Sequence, residues 1–285
     1  MERKILNVDG RAVGWYDAGT ATAEDAPVVL WHHGTPNIGE PPEPLFDVAR
    51  ELGVRLIGLD RPGYGGSDDA GPRAVADVAS LAAAVADAAG AHRFGVMGHS
   101  GGGPHALATA ALLPDRLTGV VVIAGIGPLV APTAGEGSLG TSWWDGMHAA
   151  GAAELTAALQ GGDALADLLE SNEYDPAMFT EKDLEALDGS WRWFQRIAAA
   201  GVEHGFAGIV ADDVAYVQPW GFRVADVKAP TLVLQGDEDR IVPVHHGRWI
   251  ASAIPGAEYQ ERPGDGHLSV MDGAADALRW LGGKS

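Results

Sequence analysis

The chain of 285 residues contains no cysteine. That excludes disulfides, a cysteine nucleophile and thiolate metal sites, and leaves the compartment open. Basic residues are scarce: Lys and Arg number 19 against 39 Asp and Glu, a formal net charge of −20. Such a charge repels nucleic acid and anionic membranes, so neither is expected as a partner. It also disfavours strongly anionic substrates unless a local basic pocket exists, and otherwise reads as an acidic surface that aids solubility. Long hydrophobic runs are missing as well. The most apolar stretch, residues 120–130, is far too short to span a bilayer and is broken by glycines and Pro128. The first nine residues carry no hydrophobic signal-peptide core, so a cytoplasmic protein is expected. No histidine pair has H-E-x-x-H spacing, and neither a metal nor a cofactor is expected.

What is present is an alternation. Residues 5–17 read as a hairpin turning at Asp9-Gly10. Strands are expected at 28–32, 54–59, 93–97, 118–124, 231–235 and 257–262. Helices are expected after Pro41-Pro42-Glu43-Pro44 to about Leu52, at 73–89, 101–113, 245–253 and 268–282. Strand and helix in turn imply an α/β fold with a doubly wound, mostly parallel sheet. Between 129 and 222 the rhythm breaks. Helical stretches near 143–159, 163–171, 180–200 and 202–216 carry Trp143, Trp144, Trp191, Trp193, Phe194, Phe206 and Trp220. This segment reads as an inserted helical cap. The expected domains are a core of 1–128 with 223–285 and a cap of 129–222.

Gly98-His99-Ser100-Gly101-Gly102 follows one of these strands and precedes a helix. In that context G-x-S-x-G holds a serine out on a sharp turn with its hydroxyl exposed, and the glycines relieve the crowding. The next backbone N–H, at Gly101, sits at a helix N-terminus and can stabilise a developing oxyanion. A serine nucleophile of this kind needs an acid and then a histidine further along the chain. Gly236-Asp237-Glu238-Asp239 follows a strand candidate, and Gly264-Asp265-Gly266-His267 lies in a late Gly-rich loop. Ser100 would attack, His267 would take its proton, and a carboxylate would orient the imidazole. Asp239 and Asp237 are both available as that acid; Asp265 reads as shaping its turn.

Further motifs follow the other strands: His32-His33-Gly34-Thr35-Pro36 and Asp60-Arg61-Pro62-Gly63-Tyr64-Gly65-Gly66-Ser67. Together they make nearly the whole chain resemble the α/β-hydrolase family, in its serine-nucleophile branch. The resemblance implies Asp239 as the acid, three residues beyond Gly236, and an oxyanion hole from the N–H groups of Thr35 and Gly101. His32 and His33 read as structural histidines beside that loop. His99 is expected to point away from the nucleophile, toward the surrounding loops. It stands with Asn37, Trp143 and Trp144 as a candidate for substrate contact.

The activity expected is hydrolysis of a small or medium, mostly apolar carboxylic ester or lactone by a monomer or homodimer acting on a small molecule. A carbon–carbon bond hydrolase would use the same triad. A prolyl aminopeptidase would need acidic cap residues, for which Glu154, Glu170 and Glu173 are available. A non-catalytic receptor on the same fold is the alternative of another class. Serine at the elbow disfavours epoxide hydrolases and haloalkane dehalogenases, which attack with aspartate.

Overall fold

The computed structural model describes residues 1–131, 137–171 and 175–284. Its centre is an eight-stranded sheet of order β1-β2-β4-β3-β5-β6-β7-β8. The strands are β1 (Arg3–Val8), β2 (Arg11–Asp17), β3 (Val28–His32), β4 (Arg55–Leu59), β5 (Phe94–His99), β6 (Leu117–Ile123), β7 (Thr231–Gly236) and β8 (Glu258–Arg262). All pairings from β4 to β8 are parallel; β1 and β2 form an antiparallel hairpin that joins the edge of β4. Asp9 and Gly10 turn that hairpin at φ 52° and 85°, the left-handed pair a tight two-residue turn demands.

The central strands are buried on both faces, and their side chains alternate between two cores. Leu30, Val96, Val120 and Val122 point to one face with Val85 of α2 (Val78–Ala88), Leu107 of α3 (Gly102–Leu112) and Ile250 of α9 (Val244–Ala253). Val29, Trp31, Val121 and Ile123 point to the other with Val48 of α1 (Phe46–Leu52) and Leu278 of α10 (Ala274–Gly282). The chain runs outward from β3 to β4, then returns to the other side of β3 as β5. Adjacent loops at the carboxyl ends of β3 and β5 therefore diverge, and in open α/β sheets ligands bind in the crevice such a reversal leaves.

Between β6 and β7 the described residues form only helices: α4 (Ala149–Gln160), α5 (Gly162–Ser171), α6 (Glu181–Asp188), α7 (Trp193–Gly201) and α8 (Ala207–Tyr216), with short 3-10 turns. Two expectations need correction here. The helix expected over 180–200 is two helices, because Gly189 leaves helical geometry at φ −112°, ψ −116° and the chain restarts at Trp193. The helix expected from residue 73 starts only with a 3-10 turn at Val75, and the Arg73 side chain reaches across to Asp212 instead.

Candidate active site

β5 ends in Ser100, whose φ of 55° is left-handed and unusual for a residue with a side chain. Such a conformation costs of order 1–3 kcal/mol and persists only where its surroundings impose it. They do so here: Ser100 N–H donates to Ile123 O of β6 at 2.9 Å, and Ser100 O accepts from Gly103 N–H at 2.9 Å. The turn is too tight for side chains on either side. A Cβ on Gly98 would lie 2.3 Å from Gly102 O, and one on Gly102 would lie 2.0 Å from His32 O.

His267 comes from the loop between β8 and α10. Its Nδ1 donates to Asp239 Oδ2 at 2.8 Å, which fixes the tautomer and leaves the Nε2 lone pair free. Asp239, in the loop after β7, is itself held: Oδ1 accepts from the N–H groups of Ile241 and Val242, and Oδ2 from Gln235 Nε2. Burial lowers the His267 pKa, but the Asp239 charge and hydrogen bond, with a contribution from Asp183, outweigh it and raise the pKa above its ordinary value. Asp237 takes no part; its Oδ1 accepts from Gly264 N–H at 2.7 Å. Asp265 pairs with Lys182 and Arg262.

His99 lies between these groups. Its Nε2 is 2.9 Å from His267 O, and its ring sits 4.8 Å from that of His267 and 5.2 Å from Phe194 of α7. Burial, with His267 beside it, pulls its pKa down to about 3, so it is neutral and donates through Nε2. His267 is thereby set against the elbow. No Ser100–His267 hydrogen bond forms among the described residues, and apo geometry of this kind does not rule out a general base. Ser100 is 9% exposed and His267 4%.

Thr35 and Gly101, whose backbone N–H groups are the expected oxyanion donors, are joined through α8. Tyr216 OH donates to Gly101 O at 3.0 Å and lies 3.1 Å from Thr35 Oγ1. One turn earlier, Asp212 accepts from Arg61 at 2.7 and 2.9 Å, from Arg73 at 2.6 Å and from Tyr64 OH at 3.0 Å. Thr35 Oγ1 reaches the same carboxylate at 3.3 Å. Burial would raise the Asp212 pKa, but the two guanidiniums hold it well below the carboxylate range. Arg61 also ties the loop down: its backbone N–H donates to His33 Nε2 at 3.1 Å, and His33 Nδ1 donates to Gly34 O at 2.7 Å. His32 Nε2 meets Thr109 Oγ1 at 3.0 Å. Both histidines are fully buried structural groups.

The remaining candidates are placed less centrally. Asn37 is buried, with its N–H on Gly34 O. Trp143 is 0% exposed; its Nε1 donates to Gly127 O at 2.6 Å and its carbonyl accepts from His246. In this arrangement Trp143 presents no surface to a ligand, contrary to expectation, because the loop after β6 and α9 enclose it. Trp144 is half-buried against its edge, ring centroids 4.7 Å apart. Of the acidic residues an aminopeptidase would use, Glu170 is exposed, Glu154 faces the buried carboxyl of Asp213, and Glu173 lies outside the described residues. No cluster of potential metal ligands occurs among the described residues, and no helix there is long and apolar enough to cross a membrane.

Arg73, Asp183, Asp212 and Tyr216 escape a reading of the sequence. Only Thr180-x-x-Asp183 has a legible signal, as a helix-capping pair; the others act through contacts far apart in the chain.

The sequence family described as alpha/beta hydrolase fold matches residues 27–274. Curated relatives include the 2-hydroxy-6-oxononadienedioate/2-hydroxy-6-oxononatrienedioate hydrolase of Comamonas testosteroni, 28% identical over 93% of this chain and 87% of that protein. The 2-hydroxy-6-oxo-6-phenylhexa-2,4-dienoate hydrolase of Burkholderia cepacia is 29% identical over the same shares. Among solved structures, the enol-lactonase of Burkholderia xenovorans LB400 superposes with a TM-score of 0.70 at 21% identity, covering 98% of this chain and 99% of its own. A thermophilic esterase from Thermogutta terrifontis gives 0.69 at 22% identity, covering 100% and 99%. With a family match over most of its length and a mostly parallel eight-stranded sheet, the chain belongs to the α/β-hydrolase family.

Proposed function

We propose that the chain is a cofactor-independent serine hydrolase that cleaves a small or medium, mostly apolar carboxylic ester or lactone through an acyl-enzyme. The observation that carries this reading is the 2.8 Å bond from His267 Nδ1 to Asp239, together with a serine held at φ 55° on the turn whose preceding residue, His99, contacts His267. Ser100 Oγ attacks the carbonyl carbon while His267 Nε2 takes its proton. Negative charge then grows on the carbonyl oxygen, where the N–H groups of Thr35 and Gly101 receive it; one such donor is worth about 3–4 kcal/mol of barrier. Collapse expels the alkoxide, which leaves as the alcohol with the proton from His267. Water, deprotonated by the same nitrogen, attacks the acyl-enzyme and releases the acid. The helical segment 129–222 acts as a cap, consistent with the low exposure of Ser100 and His267.

An uncharged substrate is favoured by the electrostatics. The buried guanidiniums beside the oxyanion loop, Arg61 and Arg73, are both bonded to Asp212, and the chain carries a charge of −20. The Comamonas and Burkholderia relatives favour a second reading, carbon–carbon bond hydrolysis by the same three side chains. The substrates in their names are carboxylates, for which those two guanidiniums are poorly disposed.

A panel decides between the readings: 4-nitrophenyl esters of graded acyl length, lactones, proline amides and 2-hydroxy-6-oxo-6-phenylhexa-2,4-dienoate, each against Ser100→Ala. Multiple turnovers of esters or lactones that vanish in Ser100→Ala support the proposal. Turnover of the dienoate alone establishes the second reading. Binding without product release marks a receptor.

A further inference from the structure

Asp183 is a cap residue, on the first turn of α6, yet its carboxylate serves the loop of the proposed base. Oδ1 accepts from the N–H groups of Leu268 and Ser269 at 2.8 and 2.7 Å and from Ser269 Oγ at 2.8 Å. Oδ2 accepts from His267 N–H at 3.2 Å and from its own cap residue, Thr180 N–H, at 3.1 Å. Asp183 is 1% exposed, and no cation pairs with it among the described residues. Three successive backbone N–H groups entering the 3-10 turn Ser269–Gly273 stand in for one, an arrangement that suits an anion. The approach is close: a Cβ on Gly266 would lie 2.1 Å from Asp183 Oδ2. Capping α6 needs only the exchange with Thr180, so the four bonds to residues 267–269 are beyond what the helix requires.

We propose that Asp183 is a positioning residue for the base: its carboxylate, carried by the cap, clamps the backbone of residues 267–269 and so holds the His267 imidazole in line between Asp239 and Ser100. The inference rests on the reading of His267 as the base. Two consequences follow. The ring direction is set from both sides of His267, since Asp183 takes its N–H and His99 Nε2 meets its carbonyl at 2.9 Å. The negative charge also favours the imidazolium. The groups facing His267 are Asp239 after β7, His99 at the end of β5 and Asp183 on α6, and of these only Asp183 belongs to the cap.

The test is Asp183→Asn in the full chain, assayed with 4-nitrophenyl acetate across pH and accompanied by thermal unfolding. An asparagine turns one acceptor into a donor facing N–H groups. The expected result is a fall in kcat of about 10- to 100-fold, the size of a misplaced catalytic group, with KM changed less than about threefold. The acid-side inflection of the profile moves to lower pH, because the imidazolium has lost a nearby negative charge. Asp183→Glu, which keeps the charge but displaces it, leaves the inflection near wild type and kcat low. Thr180→Ala, which removes only the helix cap, lowers Tm without moving the inflection. Unchanged kcat and inflection in Asp183→Asn overturn the proposal, as does a lower Tm and higher KM with the inflection fixed. Where Asp183→Asn does not fold, Ser269→Ala serves: it removes the Oγ bond to Asp183 and the acceptor of the Gly266 N–H, and lowers kcat by about three- to tenfold at constant KM, less than Asp183→Asn because the backbone bonds to the carboxylate remain; unchanged kcat overturns the clamp. Near-wild-type turnover in His267→Ala removes the base assignment itself. An inactive His267→Ala beside a normal Asp183→Asn removes only the clamp.

Discussion

At the scale of single residues, the proposed chemistry turns on one proton at His267. As the proposed base the imidazole must be neutral to accept from Ser100, and its pKa lies above the ordinary 6.5. We therefore expect kcat/KM to rise with pH through an inflection above 6.5 and to be depressed in mildly acidic solution; an inflection below 6.5 contradicts the geometry. Stability runs in the opposite direction. A group whose folded pKa is raised contributes stability that is complete below its unfolded pKa and is lost as pH rises through the folded value. Asp239→Asn removes the charge that fixes the tautomer and should lower kcat by about 10³- to 10⁴-fold. Asp237→Asn gives up one bond to the Gly264 N–H and should leave kcat within a few fold. Steady-state rates of the two variants, with circular dichroism to verify folding, check the assignment; the reverse order moves the acid to Asp237. The sequence leaves the two carboxylates open and settles on Asp239 only through family resemblance. Which oxygen meets Nδ1 depends on the turn at residues 237–242, whose backbone N–H groups are invisible in a string of letters.

Among elements, the strands and the loops at their ends are far more legible than the helices above them. Runs such as Val28-Val29-Leu30-Trp31 are short and β-rich, with Pro27 before and Gly34 soon after, so β3, β5 and β7 lie within two residues of expectation. Within the helical segment the stretch 180–200 carries no glycine or proline but Gly189, and that one residue is enough to divide a helix there. The segment's contacts with the site are longer-ranged still: Asp212 meets Arg61 from 151 positions away. Removing Tyr216 OH breaks its bond to Gly101 O; Tyr216→Phe should lower kcat by roughly 5- to 30-fold, the equivalent of about 1–2 kcal/mol for one buried hydrogen bond. Asp212→Asn leaves Arg61 and Arg73 without their carboxylate in a buried setting, which typically costs 3–5 kcal/mol. It should be read as a large fall in Tm before any kinetic effect. Trp143→Ala should also be a stability variant, costing about 3–5 kcal/mol for a fully enclosed indole. Its relative kcat/KM across an acyl-chain series should stay flat, whereas Trp144, half-buried beside it, is the better place to look for a change in chain-length preference. A shifted profile in Trp143→Ala would return that residue to the pocket.

For the whole molecule, a reversal of strand order places the loops of β3 and β5 side by side, and everything else in the proposed site is brought to that crevice. The proposed base His267 and its acid Asp239 arrive from the loops after β8 and β7, and the helical segment contributes two carboxylates, Asp183 and Asp212, that bond to residues 267–269 and to Thr35. The scarcity of basic residues bears on the substrate at this scale too. A chain of net charge −20 whose buried arginines are already bonded to Asp212 offers an anion little. The central claim is that Ser100 forms an acyl-enzyme. The most direct test mixes the protein with a slowly turned-over 4-nitrophenyl ester, quenches at successive times and maps the adduct by mass spectrometry. The account predicts one acyl group on Ser100, formed in a burst with release of nitrophenol, absent in Ser100→Ala and strongly slowed in His267→Ala. An adduct on another residue, or turnover undiminished in Ser100→Ala, would contradict it.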